Sequence, residues 1–380
     1  MSHFTNKIRK KQFSAKRQLR LLYMNTSFGA FQIAGASWVA LLAARGFSLV
    51  EIGFAESVFH VASLLFEVPS GVISDVFGRK RSMVLSQCMT ILSALLMLCS
   101  DSLAGVLPAM VFSAFGYNFL SGTREALAWE TLKADGREAE YDGYASTDMM
   151  LYTFFSSLAT LCAGLALTLG YRRAYLIDIG LGALGLTLAL RLIEIGRPRE
   201  NGKGAPGAAS GETVWKQVFS CLRESGRFLL HSRKAMELIL QNAAVGAAAT
   251  LLRFFLQARL PEKGLPDALL GPALFLMGLG GAAGARLILC CKSWSYAKVF
   301  AVSAAVVTGC VAASLLPVPA VMVVGGFLAA LSDNFLQVRS DVRLNEMVPA
   351  EQRATLISVS SLCFSAVMIV LSPLFGILFS

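Results

Sequence analysis

Eleven predominantly apolar runs divide this chain, over roughly 20–44, 51–74, 82–100, 103–131, 144–170, 173–193, 235–259, 267–290, 296–316, 318–346 and 354–379. About 20 such residues, wound as a helix, cross the hydrocarbon core of a bilayer. Lipid offers no hydrogen-bond partners, so each run must satisfy its own backbone as a helix. That leaves one fold class, an all-α polytopic membrane protein. The balance of residues agrees: only 15% are charged, against roughly 25% in a soluble domain.

The segments between the runs set the expected orientation. Lys and Arg gather in 1–20, 75–81, 132–143, 194–234, 291–295 and 347–353. Cationic loops stay in the cytoplasm, so the N-terminus is expected inside, in the cytoplasmic cell membrane. The opposite side holds Arg45, Arg172, Arg173, Arg259 and Lys263, of which Arg172-Arg173 runs against the bias. The net charge of +10 is read as loop cations facing anionic headgroups. Nucleic acid is not an expected partner. Residues 1–20 are polar and basic and carry no signal-peptide core.

The character changes after the sixth run. A Gly/Pro-rich stretch opens at Arg197-Pro-Arg, and 213–231 then spaces apolar residues among Lys216, Arg223 and Arg227. This is a basic amphipathic helix lying on the inner leaflet, or a solvated linker helix; both readings stand. The chain is therefore divided into 1–193, a six-helix bundle; 194–234, a cytoplasmic linker; and 235–380, a five-helix bundle.

Ionisable groups at membrane depth are costly and so are functional candidates. Glu56, His60 and Glu67 fall within an arc of ~40° on one helix face, with Ser63, Ser70 and Ser74 on the same side. One reading is a proton path, because His titrates near neutral pH. The other is an interhelical stripe in which Glu and His satisfy each other. Asp333 joins Glu56, His60 and Glu67 as a proton-coupling candidate. The cavity candidates are Asn25 and Gln32 on one face of the first span, Asn118 in the fourth, Asn242 and Arg253 in the seventh and Gln337 in the tenth. Arg253 would bind an anionic group or pair with a carboxylate, Asp333 being the proposed partner. Asp148 and Asp178 are placed at the membrane interface.

Between the second and third runs lies Gly71-Val-Ile-Ser-Asp75-Val-Phe-Gly78-Arg79-Lys80-Arg81. Gly71 and Gly78 let the backbone turn and helices come close. Asp75, among cations, needs a cationic or helix-N-terminal partner. This spacing resembles the signature loop of the major facilitator superfamily. Leu344-Asn345 through Pro349, Arg353-Ala-Thr355 resembles the family's approach to its eleventh helix. The resemblance implies two pseudo-repeated helical bundles that rock about a midplane site. It also implies that the twelfth helix normal in the family is missing, by truncation or in fact. It pairs Arg79 with Glu130, and sets Asp75 against Arg353 and the eleventh helix as a conformational latch that includes Gly71, Gly78 and Lys80.

Two departures bear on function. The fourth span reads Asn118-Phe-Leu-Ser-Gly122 where many proton-linked relatives carry an Arg, and the fifth lacks the proline of drug–proton antiporters. No P-loop, metal-spaced cluster or nucleophile–base pair occurs. The eight cysteines lie mostly in apolar runs without a C-x-x-C pair, as small buried residues. No catalytic residue, metal or cofactor is expected. The expectation is a monomeric secondary transporter for a small solute, a proton-coupled exporter of an amphipathic compound. The alternatives are an uptake permease for a polar or anionic metabolite, and a truncated, non-transporting membrane protein.

Overall fold

The structure is a computed structural model. It describes residues 14–195, 233–347 and 353–380, with the side chains of 353–355 left out. The linker and amphipathic helix expected across 196–232 lie outside the described residues. Most of the described chain is helical. It runs through α1 (Ala15–Ala30), α2 (Ile33–Ala36), α3 (Trp38–Ala44), α4 (Leu49–Phe77), α5 (Arg79–Cys99), α6 (Leu103–Leu120) and α7 (Thr123–Ala134). It continues through α8 (Tyr141–Leu161), α9 (Ala163–Leu169), α10 (Tyr171–Arg191), α11 (Arg233–Glu262), α12 (Asp267–Leu287), α13 (Tyr296–Ala313), α14 (Pro319–Met347) and α15 (Arg353–Phe379).

Nine described helices, with α6 and α7 taken as one, are long and apolar enough to span a membrane; α8 and α9, bent by 46°, make a tenth. The first expected span instead arrives in three pieces, α1 to α3. Its backbone breaks at Phe31 and Gln32, where Asp178 of α10 accepts from the N–H groups of Ile33 (2.7 Å) and Gly35 (2.9 Å). A buried carboxylate on the exposed donors of a new helix start makes that break tolerable in an apolar core. Asp178 is itself buried, so its expected interfacial position is corrected to an internal one.

Local chemistry sets several ends. Ser48 and Glu51 form a capping box at the start of α4. Gly78, at φ 104° and ψ 151°, separates α4 from α5. That backbone region is essentially closed to residues with a Cβ. Gly122, at φ 69°, divides α6 from α7.

Two helical bundles result. In the first, α5 packs along α6 and α10, and α4 along α6; in the second, α14 packs against α11, α12 and α13. The bundles meet where α4 lies along α15, and where α8 and α9 lie against α12. The loop at Gly78 marks one end of the molecule, the loop end. At the far end glycines bring backbones together. A Cβ at Gly271 would strike the Leu161 carbonyl, and one at Gly164 the Asp267 carbonyl. Gly53 and Gly376 press in the same way on Ser372 and Leu49. Phe254 and Ala258 of α11 complete an apolar cluster otherwise built from the first bundle.

Candidate functional site

The polar stripe of α4 faces α15. Glu56 Oε1 lies 3.3 Å from His60 Nε2, and both residues are buried. His60 Nδ1 lies 3.3 Å from Ser365 Oγ of α15. One turn toward the far end, Ser57 donates to the Ile369 carbonyl at 2.9 Å. Nearer the loop end, Ser361 donates to Glu67 Oε2 at 2.9 Å. Three of these bonds therefore cross between bundles through side chains, and the Glu56–His60 pair sits beside that crossing. The spacing in the sequence shows the stripe; the partner serines 305 and 294 residues away leave no such signal.

Behind Glu56 the first bundle holds a cavity of about 290 Å³. Gln32, Glu56, Tyr175 and Asp178 supply its polar wall, and Trp38, Phe59, Met97, Met110 and Phe254 its apolar one. Trp38 and Phe254 meet edge to face, with centroids 6.1 Å apart, where the two bundles join. Of the cavity candidates, Gln32 lines this space. Asn25 is buried against α10, donating to the Gly185 carbonyl at 3.0 Å. Asn118 binds α6 to α4: it donates to the Ser63 carbonyl at 2.8 Å and accepts from Ser63 Oγ at 2.9 Å.

In the second bundle, Asn242 donates to Gln337 at 2.6 Å and accepts from Ser340 at 3.2 Å. Gln337 in turn donates to Asp341 at 3.0 Å. Arg253 and Asp333 lie within electrostatic reach of each other. Arg253 Nε has no hydrogen-bond partner among the described residues, and Asp333 rests against Gly246.

At the loop end, Asp75 pairs with Arg79 at 2.6 Å, and Arg79 Nε lies 3.6 Å from Glu130. Arg79 also donates to Ser74 Oγ at 3.1 Å. Glu194 was not singled out from the sequence. It accepts from the backbone N–H groups of Arg79 (2.8 Å) and Lys80 (2.9 Å), capping α5 from the start of the linker segment 194–234. Its carboxyl occupies the space a Cβ at Gly78 would need. At Gly71 a Cβ would meet nothing within 4 Å. The Arg353 backbone opens α15, but its side chain lies outside the described ones. A buried network that the sequence also hid joins Asp148 to Arg124 Nε (3.2 Å) and to Thr26 Oγ1 (2.5 Å). No cluster of metal-ligating side chains occurs among the described residues.

A family model of the Major Facilitator Superfamily matches residues 21–373. The chain belongs to that superfamily. Membership places it among multi-pass membrane proteins of a secondary-transporter superfamily. A curated relative, an uncharacterized MFS-type transporter YxaM of Bacillus subtilis (strain 168), is 22% identical over 252 residues. That match takes in 66% of this chain and spans 60% of the relative's length. Among solved structures, the nucleoside transporter NupG superposes with a TM-score of 0.65 at 14% identity, covering 94% of this chain and 90% of NupG. A POT family transporter in complex with 5-aminolevulinic acid gives 0.68 at 12% identity, over 94% and 90%. A bacterial homolog of the human lysosomal transporter Spinster, inward-facing and unoccupied, gives 0.66 at 16% identity, over 94% and 80%. At these identities the structural likeness speaks for the fold.

Proposed function

We propose that this superfamily member exports a small amphipathic compound in exchange for protons. The observation that carries the reading is the Glu56–His60–Ser365 connection, in which Glu56 of the cavity wall pairs with His60, and His60 touches the opposing bundle. A proton taken up there would alter the contact on which rocking depends. Asp178 from α10 lines the same cavity, and Arg253 lies on α11 beside Phe254 of its wall. Glu67 and Asp333 are further proton-coupling candidates. The loop end is read as cytoplasmic, with the N-terminus, and the far-end glycine contacts as the closed outer gate. The protein then acts as a monomer in the cell membrane, with bundles 1–193 and 235–380 joined by 194–234. Asp75, with Arg353 and the start of α15, closes the cytoplasmic side when the outer gate opens. Uptake of a polar or anionic metabolite is the second reading, favoured by Arg253 Nε, which lacks a partner among the described residues.

The test is flux in proteoliposomes with and without an imposed pH gradient. Wild type should move substrate against its gradient only when protons run the other way. His60→Ala should lose this uphill movement and keep downhill exchange. Uphill transport that persists in His60→Ala, or that never responds to the pH gradient, would overturn the reading.

A further inference from the structure

The cavity behind Glu56 has a composition that names its ligand. We propose that it binds a small protonated amine carrying an apolar or aromatic body. This rests on the transporter reading for its purpose, but not for its chemistry. Among the described residues, the lining holds two carboxylates, Glu56 and Asp178, and no Lys, Arg or His. Asp178 is already engaged by backbone N–H groups at the start of α2. Glu56 meets no such donors among the described residues; its partner is the His60 imidazole, 3.3 Å away. A second, independent observation comes from the same wall. The Tyr175 hydroxyl is buried and has no hydrogen-bond partner among the described residues, although Tyr175 is only 4% exposed and lines the cavity. Buried hydroxyls are normally satisfied, so a polar group of the ligand belongs there.

The other walls fit the rest of such a molecule. Trp38, Phe59 and Phe254 present rings, which attract a cation at their faces and cover an apolar body. A volume of about 290 Å³ lies at the small end of ligand pockets, which excludes large drugs and favours a compact amine. Binding also has a built-in consequence. The ammonium takes Glu56 as its partner in place of the His60 imidazole, which then turns wholly to Ser365 on α15. The cavity thus reports its occupancy to the bundle interface.

The experiment uses the purified full-length chain and three probes of matched shape: phenethylamine, its neutral alcohol analogue 2-phenylethanol, and anionic phenylacetate. Binding is read by thermal shift and by quenching of tryptophan emission, with Trp38→Phe identifying the responding ring. Only the amine should raise the melting temperature and quench Trp38. Glu56→Gln should weaken it by about tenfold or more, the scale for losing a desolvated charge partner. Tyr175→Phe should weaken it by a smaller factor. If Glu56→Gln does not fold, the probe series on wild type and Tyr175→Phe decides alone. Equal binding of amine and alcohol, preference for phenylacetate, or undiminished amine binding in Glu56→Gln would overturn the proposal. Amine that binds but is not carried in proteoliposomes would leave this site standing and sink the export reading instead.

Discussion

The two ends of the interface between the bundles are built differently. At the far end Gly53, Gly164, Gly271 and Gly376 press backbone on backbone. Toward the loop end the bundles are joined by the tips of side chains, His60 on Ser365 and Glu67 on Ser361. Backbone packing against glycine has no slack, because nothing flexible lies in the contact. A side-chain hydrogen bond breaks by rotating one bond, at a net cost of about 1 kcal/mol. The difference teaches which contacts hold this arrangement and which can be exchanged as it changes.

The contrast can be broken most severely at Gly271. Gly271→Val must displace the Leu161 backbone. It should destabilise the protein by about 3 kcal/mol, the upper part of the overpacking range, seen as a fall in melting temperature with transport lost. Stability within experimental error of wild type would mean that the far-end contact is soft. A smaller effect is expected at Gly78. Gly78→Ala forces a Cβ into a backbone region closed to it and onto Glu194, for about 1–3 kcal/mol. Combined with Glu194→Ala, the loss should be less than the sum, because the two sites touch. Strict additivity in the double-mutant cycle would separate the glycine from its cap. Smallest in stability is Asp75→Asn, which keeps the side chain's shape and removes its charge. It should change folding by less than about 1 kcal/mol, since its pair with Arg79 is half-exposed. It should raise the labelling rate of cysteines introduced along the cavity, read from the loop end. Unchanged labelling would remove Asp75 from the latch.

Much of the fold was legible in advance. The helices begin and end close to the expected apolar runs, as with 173–193 against Tyr171–Arg191. The signature loop pointed to the superfamily that the family match then showed. The fourth and fifth runs are interrupted, at Gly122 and between α8 and α9, and the first is broken into three; that first break depends on Asp178, a residue that the sequence placed at the membrane surface. The candidate site was legible in part. The spacing of Glu56 and His60 brought them onto one face, and the pairing of Arg79 with Glu130 is present at 3.6 Å. Trp38, Tyr175, Phe254 and Glu194 carried no periodic or motif signal, being ordinary members of apolar runs or of a loop.

What the sequence determined alone was everything set against a uniform solvent. Lipid judges each segment by itself, so length and polarity decide which segments become helices and which loops stay in water. What only the tertiary structure decided was which distant groups meet: Asp178 with a backbone break 145 residues earlier, Ser365 with His60, Leu161 with Gly271. Those pairings follow from how whole helices pack. A carboxylate or a glycine in a helical run looks the same locally whether it caps a break, lines a cavity or faces a neighbour.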